Sequence, residues 1–241
     1  MQRNKGNTMA KLPTIEQMLE SGMHFGHSAS KWHPKMKPYI FTERKGVYII
    51  DLAKSQKMLG TAVEFMMNLA RESKTILFVG TKNQVKKDLR ATAEAVAMPY
   101  ISEKWSGGIL TNFPIIRKMI NKYKGLQDEK AQGKLDRYTK KERSEFDKEI
   151  KRLETKVGGL TNLNKLPDAL FIWDIKKEKT AVAEAIIKNI PIIAICDTNA
   201  NPSLVNYVIP GNDDASKAVK LIMECITTNL LEAKKEVKTQ K

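Results

Sequence analysis

The chain has 241 residues and a formal net charge of +15, because 42 lysines and arginines outnumber 27 aspartates and glutamates. This charge favours polyanionic partners such as nucleic acid, and a hydrophobic fraction of 41% excludes a disordered basic tail. No apolar run approaches the roughly 20 residues that cross a bilayer, so we expect no membrane partner.

The two ends of the chain are polar. Residues 1–8 lack the apolar core of a signal peptide, and residues 233–241 are rich in lysine and glutamate. We predict that both are flexible basic termini. The two cysteines, Cys196 and Cys225, lie in apolar segments without metal-type spacing, which is typical of reduced, buried thiols in a cytosolic protein.

The first predicted element is a helix over 14–21, in which Thr14 and Gln17 form a capping box. A segment dense in cations, aromatic rings and prolines follows it. Lysine ammonium groups neutralise phosphates, aromatic rings stack on bases, and prolines reduce the entropy lost on docking. We therefore predict an RNA-binding surface that contains Lys31, Trp32, His33, Lys35, Lys37, Arg44 and Lys45.

Three histidines lie near the start of this region. The spacing of His24 and His27 could place two imidazoles on one metal ion, with His33 as a more distant third ligand. A zinc site needs four ligands, and no cysteine or carboxylate lies at a suitable spacing nearby. We therefore expect hydrogen bonding within a glycine-containing turn instead, and we expect no metal or cofactor.

Strand and helix signals then alternate along the chain. Apolar strands are predicted over 47–51, 75–80, 99–101, 169–174, 191–197 and 207–210, and amphipathic helices over 52–71, 83–97, 180–188 and 213–231. Continuously apolar strands are typical of a parallel sheet that is buried on both faces. The order of elements predicts a doubly wound α/β sheet with right-handed crossovers.

Three of the predicted strands end on an aspartate, namely Asp51, Asp174 and Asp197. These carboxylates could converge on Mg²⁺ and support phosphoryl transfer, or each could cap the helix or turn that follows it. The first interpretation, a magnesium-dependent phosphotransferase, stays open as an alternative. No nucleophile or phosphate-binding loop accompanies the acids, so we expect that the chain is not an enzyme.

A glycine turn, Gly80-Thr81-Lys82, follows the second predicted strand. It lacks the earlier glycine of a phosphate-binding loop, and we expect Thr81 or Asn83 to cap the next helix. Because a helix N-terminus favours anions, the candidates for contact with an RNA phosphate here are Lys82, Lys86 and Lys87.

The segment 105–114 contains paired glycines, which allow a close approach of the backbone to another group. It can be a hinge that is packed by Trp105, or a backbone that approaches RNA phosphate, and the two interpretations are compatible. The predicted RNA contacts in and after this segment are Gly107, Gly108, Thr111, Asn112, Arg117 and Lys118.

No strand is predicted between residues 113 and 160. Apolar residues follow coiled-coil spacing there in two runs: Phe113, Ile116, Ile120 and Tyr123, then Phe146, Ile150, Leu153, Val157 and Leu160. Gly133 is placed to end the first run, and Thr139 with Glu142 forms a capping box for the second. We predict an antiparallel coiled-coil hairpin over 113–160, inserted into an α/β domain formed by 9–112 and 161–232.

Several motifs resemble the bacterial-type family of small-subunit ribosomal protein number two. They lie at residues 22–27, 32–41, 49–52, 78–82, 107–113, 167–171, 196–199 and 207–215. The resemblance covers roughly residues 11–231, although Ser106 stands where the family usually has a bulky residue. It implies a flavodoxin-like sheet with a helical-hairpin insertion.

The resemblance also implies a function. A member of this family is a structural constituent of the small ribosomal subunit, binds 16S-type ribosomal RNA during translation and performs no catalysis. It contacts neighbouring ribosomal proteins and helps to dock the large messenger-binding protein built of OB repeats. We therefore expect this chain on ribosomes in the cytoplasm.

Overall fold

A computed structural model describes residues 10–239 of the chain. In chain order, these residues form α1 (Ile15–Glu20), β1 (Phe25–Ser28), β2 (Ile40–Arg44), β3 (Val47–Ile50), α2 (Leu52–Arg71), β4 (Ile76–Val79), α3 (Lys86–Ala95), β5 (Tyr100–Ile101), α4 (Phe113–Ala131), α5 (Lys140–Val157), β6 (Ala169–Trp173), α6 (Lys179–Ile187), β7 (Ile192–Cys196), β8 (Tyr207–Pro210) and α7 (Ser216–Thr239). No helix among them is both long and apolar enough to traverse a bilayer.

The main sheet is parallel and has the strand order β5-β4-β6-β7-β8. Counted along the chain, this order is 2-1-3-4-5, which is the flavodoxin-like arrangement of a doubly wound sheet. Every residue of the inner strands β4, β6 and β7 is buried, as their continuously apolar sequences require. The predicted α/β fold is therefore confirmed.

The sheet separates two apolar cores. Ile76 and Phe78 of β4 pack into the core that also contains side chains of α2, α3 and α7. Leu77 and Val79 point to the opposite face, where α6 and the first turns of α4 contribute to the second core. Because each buried aliphatic side chain contributes about 1.5–3 kcal/mol, the two faces together hold the sheet in place.

The first predicted strand, over 47–51, does not belong to this sheet. β3 pairs antiparallel with β1 and β2 in a separate three-stranded sheet of order β1-β3-β2. Lys45 and Gly46 connect β2 to β3 with φ values of 52° and 75°, as the favoured two-residue hairpin turn requires. An apolar run of four residues indicates a strand, but it does not reveal which strands pair with it.

The helices α4 and α5 form a hairpin. They lie side by side and antiparallel, with Lys122 Nζ 2.8 Å from Glu149 Oε1 and Lys130 Nζ 2.6 Å from Asp147 Oδ1. The capping box between Thr139 and Glu142 is present, and the left-handed Gly133 follows the end of α4, both as predicted. The buried residues of α4 and α5 are Ile116, Ile120, Tyr123, Leu153 and Val157. Coiled-coil packing and the domain boundaries stay predictions.

Three predicted helix ends are wrong, and one of them is the start of the last helix, which begins at Ser216 and not at residue 213. The helix predicted from residue 83 begins at Lys86, and neither Thr81 nor Asn83 caps it. The last helix continues beyond residue 231 to Thr239, with Ala233 buried. Most of the C-terminus predicted to be flexible is therefore helical, because an apolar side chain still reaches the core there. The predicted N-terminal extension, residues 1–8, lies outside the described residues.

Candidate nucleic-acid interface and strand-end cluster

Exposed cations of the N-terminal region gather on a short helical turn and on the β2–β3 hairpin. Met36 is fully buried and anchors the turn Pro34–Tyr39, and His33 Nδ1 accepts a hydrogen bond of 3.2 Å from the Lys35 amide. Among residues 10–239, the cations in this region have no ion-pair partner, so their charge faces solvent. We call them the N-terminal basic surface: Lys31, Lys35, Lys37, Arg44 and Lys45.

The aromatic residues of this region differ in accessibility. Trp32 is half-buried and packs on the ring of Tyr48, with 5.1 Å between ring centroids, and Tyr39 packs against the core. Phe41 on β2 is 74% exposed and is thus the most accessible of these rings. The sequence reasoning missed Phe41, because its exposure depends on β2 lying at the edge of the small sheet.

The carboxyl ends of β4 and β6 form the switch point where doubly wound sheets usually bind ligands. Lys82 lies there, only 15% exposed, with Nζ 2.8 Å from Asp213, 2.6 Å from Asp214 and 3.5 Å from Asp174. Burial would lower the pKa of Lys82, but these carboxylates raise it above its ordinary range. Its ammonium group is committed to internal partners, so we remove Lys82 from the predicted RNA contacts.

Asp213 is a buried acid of this cluster. Burial together with the negative charges of Asp174 and Asp197 raises its pKa to about 7, against the opposing effect of Lys82. Neither Asp213 nor Asp214 ends a predicted strand, so the search for acids at strand ends did not find them. The signal that could have found them is the acidic run Asn212-Asp213-Asp214, which begins two residues after the end of β8.

The predicted trio of strand-end acids is not assembled. Asp51 follows the separate small sheet and caps α2, where Oδ1 accepts hydrogen bonds of 3.1 and 3.2 Å from the amides of Ala53 and Lys54. Asp174 Oδ1 similarly accepts the amides of Lys176 and Lys177, both at 3.0 Å, while its other oxygen faces Lys82. The capping interpretation therefore holds for Asp51, and holds in part for Asp174.

The three histidines have different partners. His27 Nδ1 lies 3.2 Å from Asp197 Oδ2, and this hydrogen bond raises the pKa of His27. The His24 ring packs against Phe25 in a tilted arrangement, and burial lowers the pKa of His24. His33 caps the turn Pro34–Tyr39. The three imidazoles therefore make separate contacts, and only the His27 imidazole faces the carboxyl ends of the strands.

One group among residues 10–239 has a metal-ligand arrangement. Single ligand atoms of His27, Asp197 and Asp213 lie within 4.8 Å of one another. A nitrogen and two carboxylate oxygens suit a divalent cation, and Lys82 already brings a positive charge within 2.8 Å of Asp213. These are the residues that could hold a metal. Because His27 is 170 positions before Asp197 in the sequence, their spacing did not reveal the group.

The hydrogen-bond donors of the glycine turn after β4 bind a carboxylate of the protein itself. Glu178, which is 4% exposed, accepts hydrogen bonds from the Thr81 amide at 3.0 Å and from its hydroxyl. A carboxylate thus takes the position that a bound phosphate would use on such a turn. Of the two remaining lysine candidates, Lys86 pairs with Glu103 at 2.9 Å, and Lys87 is exposed.

The glycine segment before the hairpin is also held from inside the protein. The carboxylate of Glu184 on α6 accepts the amides of Gly108 and Thr111 and the hydroxyl of Thr111, at 2.8–3.0 Å. These donors are therefore not free for RNA, whereas Gly107 and Asn112 are exposed. Sequence reasoning missed Glu184, since a glutamate within a helical pattern resembles a solvated residue.

Cations on the hairpin divide into two groups. Arg117 and Lys118 on α4 are exposed and take part in no ion pair within residues 10–239. On α5, an exposed stripe opposite the buried Leu153 carries Lys141, Lys148 and Lys151. Other hairpin cations are neutralised by nearby carboxylates: Lys122, Lys130, Arg143 and Arg152.

Comparison with known proteins agrees with this architecture. The family model of ribosomal protein S2 matches residues 18–233. The small ribosomal subunit protein uS2 of Coprothermobacter proteolyticus is 45% identical over 221 residues, which cover 92% of this chain and 82% of that relative. The match includes both the flavodoxin-like sheet and the α4–α5 hairpin. The chain belongs to the ribosomal protein S2 family.

Proposed function

We propose that this chain is a structural constituent of the small ribosomal subunit and binds 16S-type ribosomal RNA through the N-terminal basic surface. The observation that carries the proposal is the set of five exposed cations that find no ion-pair partner within residues 10–239 and lie on short turns and a hairpin. Each free cation can neutralise one phosphate and release condensed counterions, which is the main source of affinity for RNA.

The proposed RNA contacts extend from this surface to the base of the hairpin. Trp32 and His33 flank the basic turn, while Lys86 and Lys87 lie in the first turn of α3. At the hairpin base the exposed candidates are Gly107, Asn112, Arg117 and Lys118. Because the amide groups of Gly108 and Thr111 bind Glu184, those residues would contact RNA only through their remaining atoms.

Neighbouring ribosomal proteins are the second class of partner. Phe41, Phe25 and Leu19 expose half or more of their surface within the N-terminal region. Exposed apolar side chains of this kind support docking of another protein, and we propose the OB-repeat messenger-binding protein as one such partner. The basic surface and the apolar side chains lie in one segment of the chain, so RNA and protein partners can be held close together.

The magnesium-dependent phosphotransferase is not favoured. Asp51 caps α2, and Lys82 occupies the position between Asp174 and Asp213 where an enzyme of this fold would bind its ligand. We propose a non-enzymatic role on cytoplasmic ribosomes, in which the acidic cluster stabilises the fold by neutralising Lys82. This interpretation relies on family membership together with the internal pairing of the acids.

Sedimentation through a sucrose gradient tests the function. In a lysate at low salt, we expect the chain to migrate with the small ribosomal subunit, and we expect high salt or ribonuclease to release it, because phosphate contacts supply the affinity. A small-subunit protein that is buried in the particle serves as the control for particle integrity. Migration at the top of the gradient under all conditions would contradict the proposal.

A further inference from the structure

A buried carboxylate on α6 holds one turn of the chain through several hydrogen bonds. Glu184 is 6% exposed, and its two oxygens accept five hydrogen bonds of 2.8–3.0 Å. The donors are the Trp105 indole, three backbone amides between residues 108 and 111, and the Thr111 hydroxyl. A surface carboxylate near a loop would not gather so many donors from one turn.

The hydrogen bonds keep this carboxylate charged in a buried place. Burial would raise the pKa of Glu184, but its bonds to Trp105 and to the backbone amides lower the pKa below its ordinary range. No lysine or arginine within residues 10–239 forms an ion pair with it. The turn is thus organised around an internal anion, in the same way that backbone nests elsewhere surround a phosphate.

The turn lies where the chain leaves the sheet for the hairpin. The last two donors belong to Thr111, and α4 begins at Phe113. Asn112 holds the N-cap position of α4 without a side-chain hydrogen bond, so the helix has no local cap to set its direction. The Asn112 amide then donates a hydrogen bond of 2.8 Å to the Gly108 carbonyl, so the turn that Glu184 holds continues directly into α4.

The chain returns to the sheet at a second close contact. A β-carbon on Gly159 would overlap the carbonyl oxygen of Tyr100 on β5, so the backbone there lies directly against the edge strand. Leu160 is fully buried one residue later. The hairpin therefore has a close contact with the sheet domain at each end, in addition to its apolar contacts with the second core, and Glu184 supplies the side-chain hydrogen bonds at the incoming end.

We propose that Glu184 is a positioning residue that fixes the turn 105–111 and thereby sets the direction in which α4 and α5 leave the sheet. Arg117 and Lys118 lie one turn beyond this point, so their position relative to the N-terminal basic surface depends on the same contact. The consequence for RNA rests on the proposed function, whereas the effect on hairpin direction is a property of the free protein.

Glu184→Gln tests the proposal, because it keeps the shape of the side chain but replaces an acceptor oxygen with a donor group. Spin labels on Gln132→Cys, near the hairpin tip, and Lys57→Cys, on α2, report the distance across the molecule. The native Cys196 and Cys225 are free but buried and leave the labelling specific. We expect the distance distribution to broaden at least twofold, and the Leu110 and Thr111 amides to exchange hydrogen at least tenfold faster.

Glu178→Gln is the matched control. Glu178 lies at the start of the same helix, is equally buried and also accepts hydrogen bonds from a backbone amide and a hydroxyl. Its partner is Thr81, away from the hairpin, so we expect its variant to keep the parent distance distribution. Equal broadening in both variants would show a general loosening of α6 and would overturn the proposal.

Milder variants keep the test decisive if Glu184→Gln does not fold. Thr111→Val removes only the hydroxyl bond, and Glu184→Asp keeps the charge while shortening its reach. We expect each of them to broaden the distribution relative to the parent, and a parent-like width in both would refute the role of Glu184. Because the labels report on the free protein, a failure of RNA binding would leave this result unchanged.

Discussion

Lys82 and Lys86 are both lysines near the start of α3, yet their surroundings give them different roles. Lys82 lies among three carboxylates with 15% of its side chain exposed, whereas Lys86 pairs only with the exposed Glu103. Removing one partner of a buried ion pair costs about 3–5 kcal/mol, while exposed pairs contribute less than about 1 kcal/mol. At the scale of the residue, burial decides whether a cation stabilises the fold or remains free for a partner.

Replacing Lys82 with methionine should therefore destabilise the protein. The methionine side chain has a similar length but leaves Asp213 buried without its cation, so we expect the unfolding free energy to fall by about 3 kcal/mol. Urea denaturation followed by circular dichroism measures the change. Adding Asp213→Asn to the same variant should restore part of the loss, because it removes the uncompensated negative charge.

Lys86→Met is the control for this measurement. It removes a cation from the same region, and its pair with Glu103 is more exposed, so we expect a change below about 1 kcal/mol. Equal losses of unfolding free energy for Lys82→Met and Lys86→Met would mean that the ion pairs of Lys82 stabilise the protein no more than an exposed ion pair does.

At the scale of the element, the α4–α5 hairpin contains two glycines with opposite surroundings. Gly125 lies inside α4 with no atom within 4 Å of a built β-carbon, so it serves no packing purpose there. Gly159 lies at the hairpin base, where a β-carbon would overlap Tyr100. The helix tolerates the first glycine, and the attachment of the hairpin requires the second.

Alanine at these two positions should change stability in opposite directions. Gly125→Ala should raise the unfolding free energy by about 1 kcal/mol, because alanine is the better helix former and its methyl group meets open space. Gly159→Ala should lower it by about 2 kcal/mol, since the added atom must push the backbone of the edge strand away. Thermal and urea unfolding of both variants measure the difference, and a gain for Gly159→Ala would contradict the close packing at the hairpin base.

At the scale of the whole molecule, the net charge of +15 is unevenly distributed. Many hairpin cations face carboxylates, and Lys82 is neutralised within the fold, whereas the N-terminal basic surface has no such partners in the part of the chain that the structure describes. The first β-strand docks this surface onto the main sheet, with the His27 amide 2.8 Å from the Thr198 hydroxyl and Gly26 closely packed on Thr198. The free charge is therefore displayed on a rigid part of the molecule.

Removing free charge should weaken RNA binding in a salt-dependent way. The test variant has alanine at four positions: Lys35, Lys37, Arg44 and Lys45. We expect this variant to have a lower affinity for 16S-type RNA. We also expect the slope of log affinity against log salt concentration to become flatter by about one unit per lost phosphate contact. Filter binding between 50 and 200 mM salt, a range over which such contacts change affinity by roughly a thousandfold or more, measures this slope.

A charge-matched variant controls for net charge alone. Lys57, Lys188, Lys217 and Lys220 are also exposed, but they lie on α2, at the end of α6 and on α7 and do not belong to the proposed surface. Changing these four to alanine removes the same charge, so we expect its slope to stay close to that of the parent. Equal slopes for both quadruple variants would assign RNA affinity to total charge rather than to the N-terminal basic surface.

Local patterns were sufficient for most of the elements. Five of the six predicted strands pair in the main sheet, and both capping boxes, at Thr14 and Thr139, are present. These features depend on side-chain spacing and on contacts between residues three or four positions apart, which can be read directly from the chain. The high density of cations in the N-terminal region was predictable for the same reason, because density is a local property of the sequence.

Only the tertiary structure decided which charged groups are already engaged in ion pairs or hydrogen bonds within the protein. Lys82 meets Asp213 across 131 positions, and Glu184 meets Leu110 across 74, so no local pattern indicated either pair. The same holds for the small sheet, where pairing moved β3 away from the parallel strands. Composition and spacing define which groups can bind, but the strength and availability of each charge depend on burial and on distant partners that only folding brings within a few ångströms.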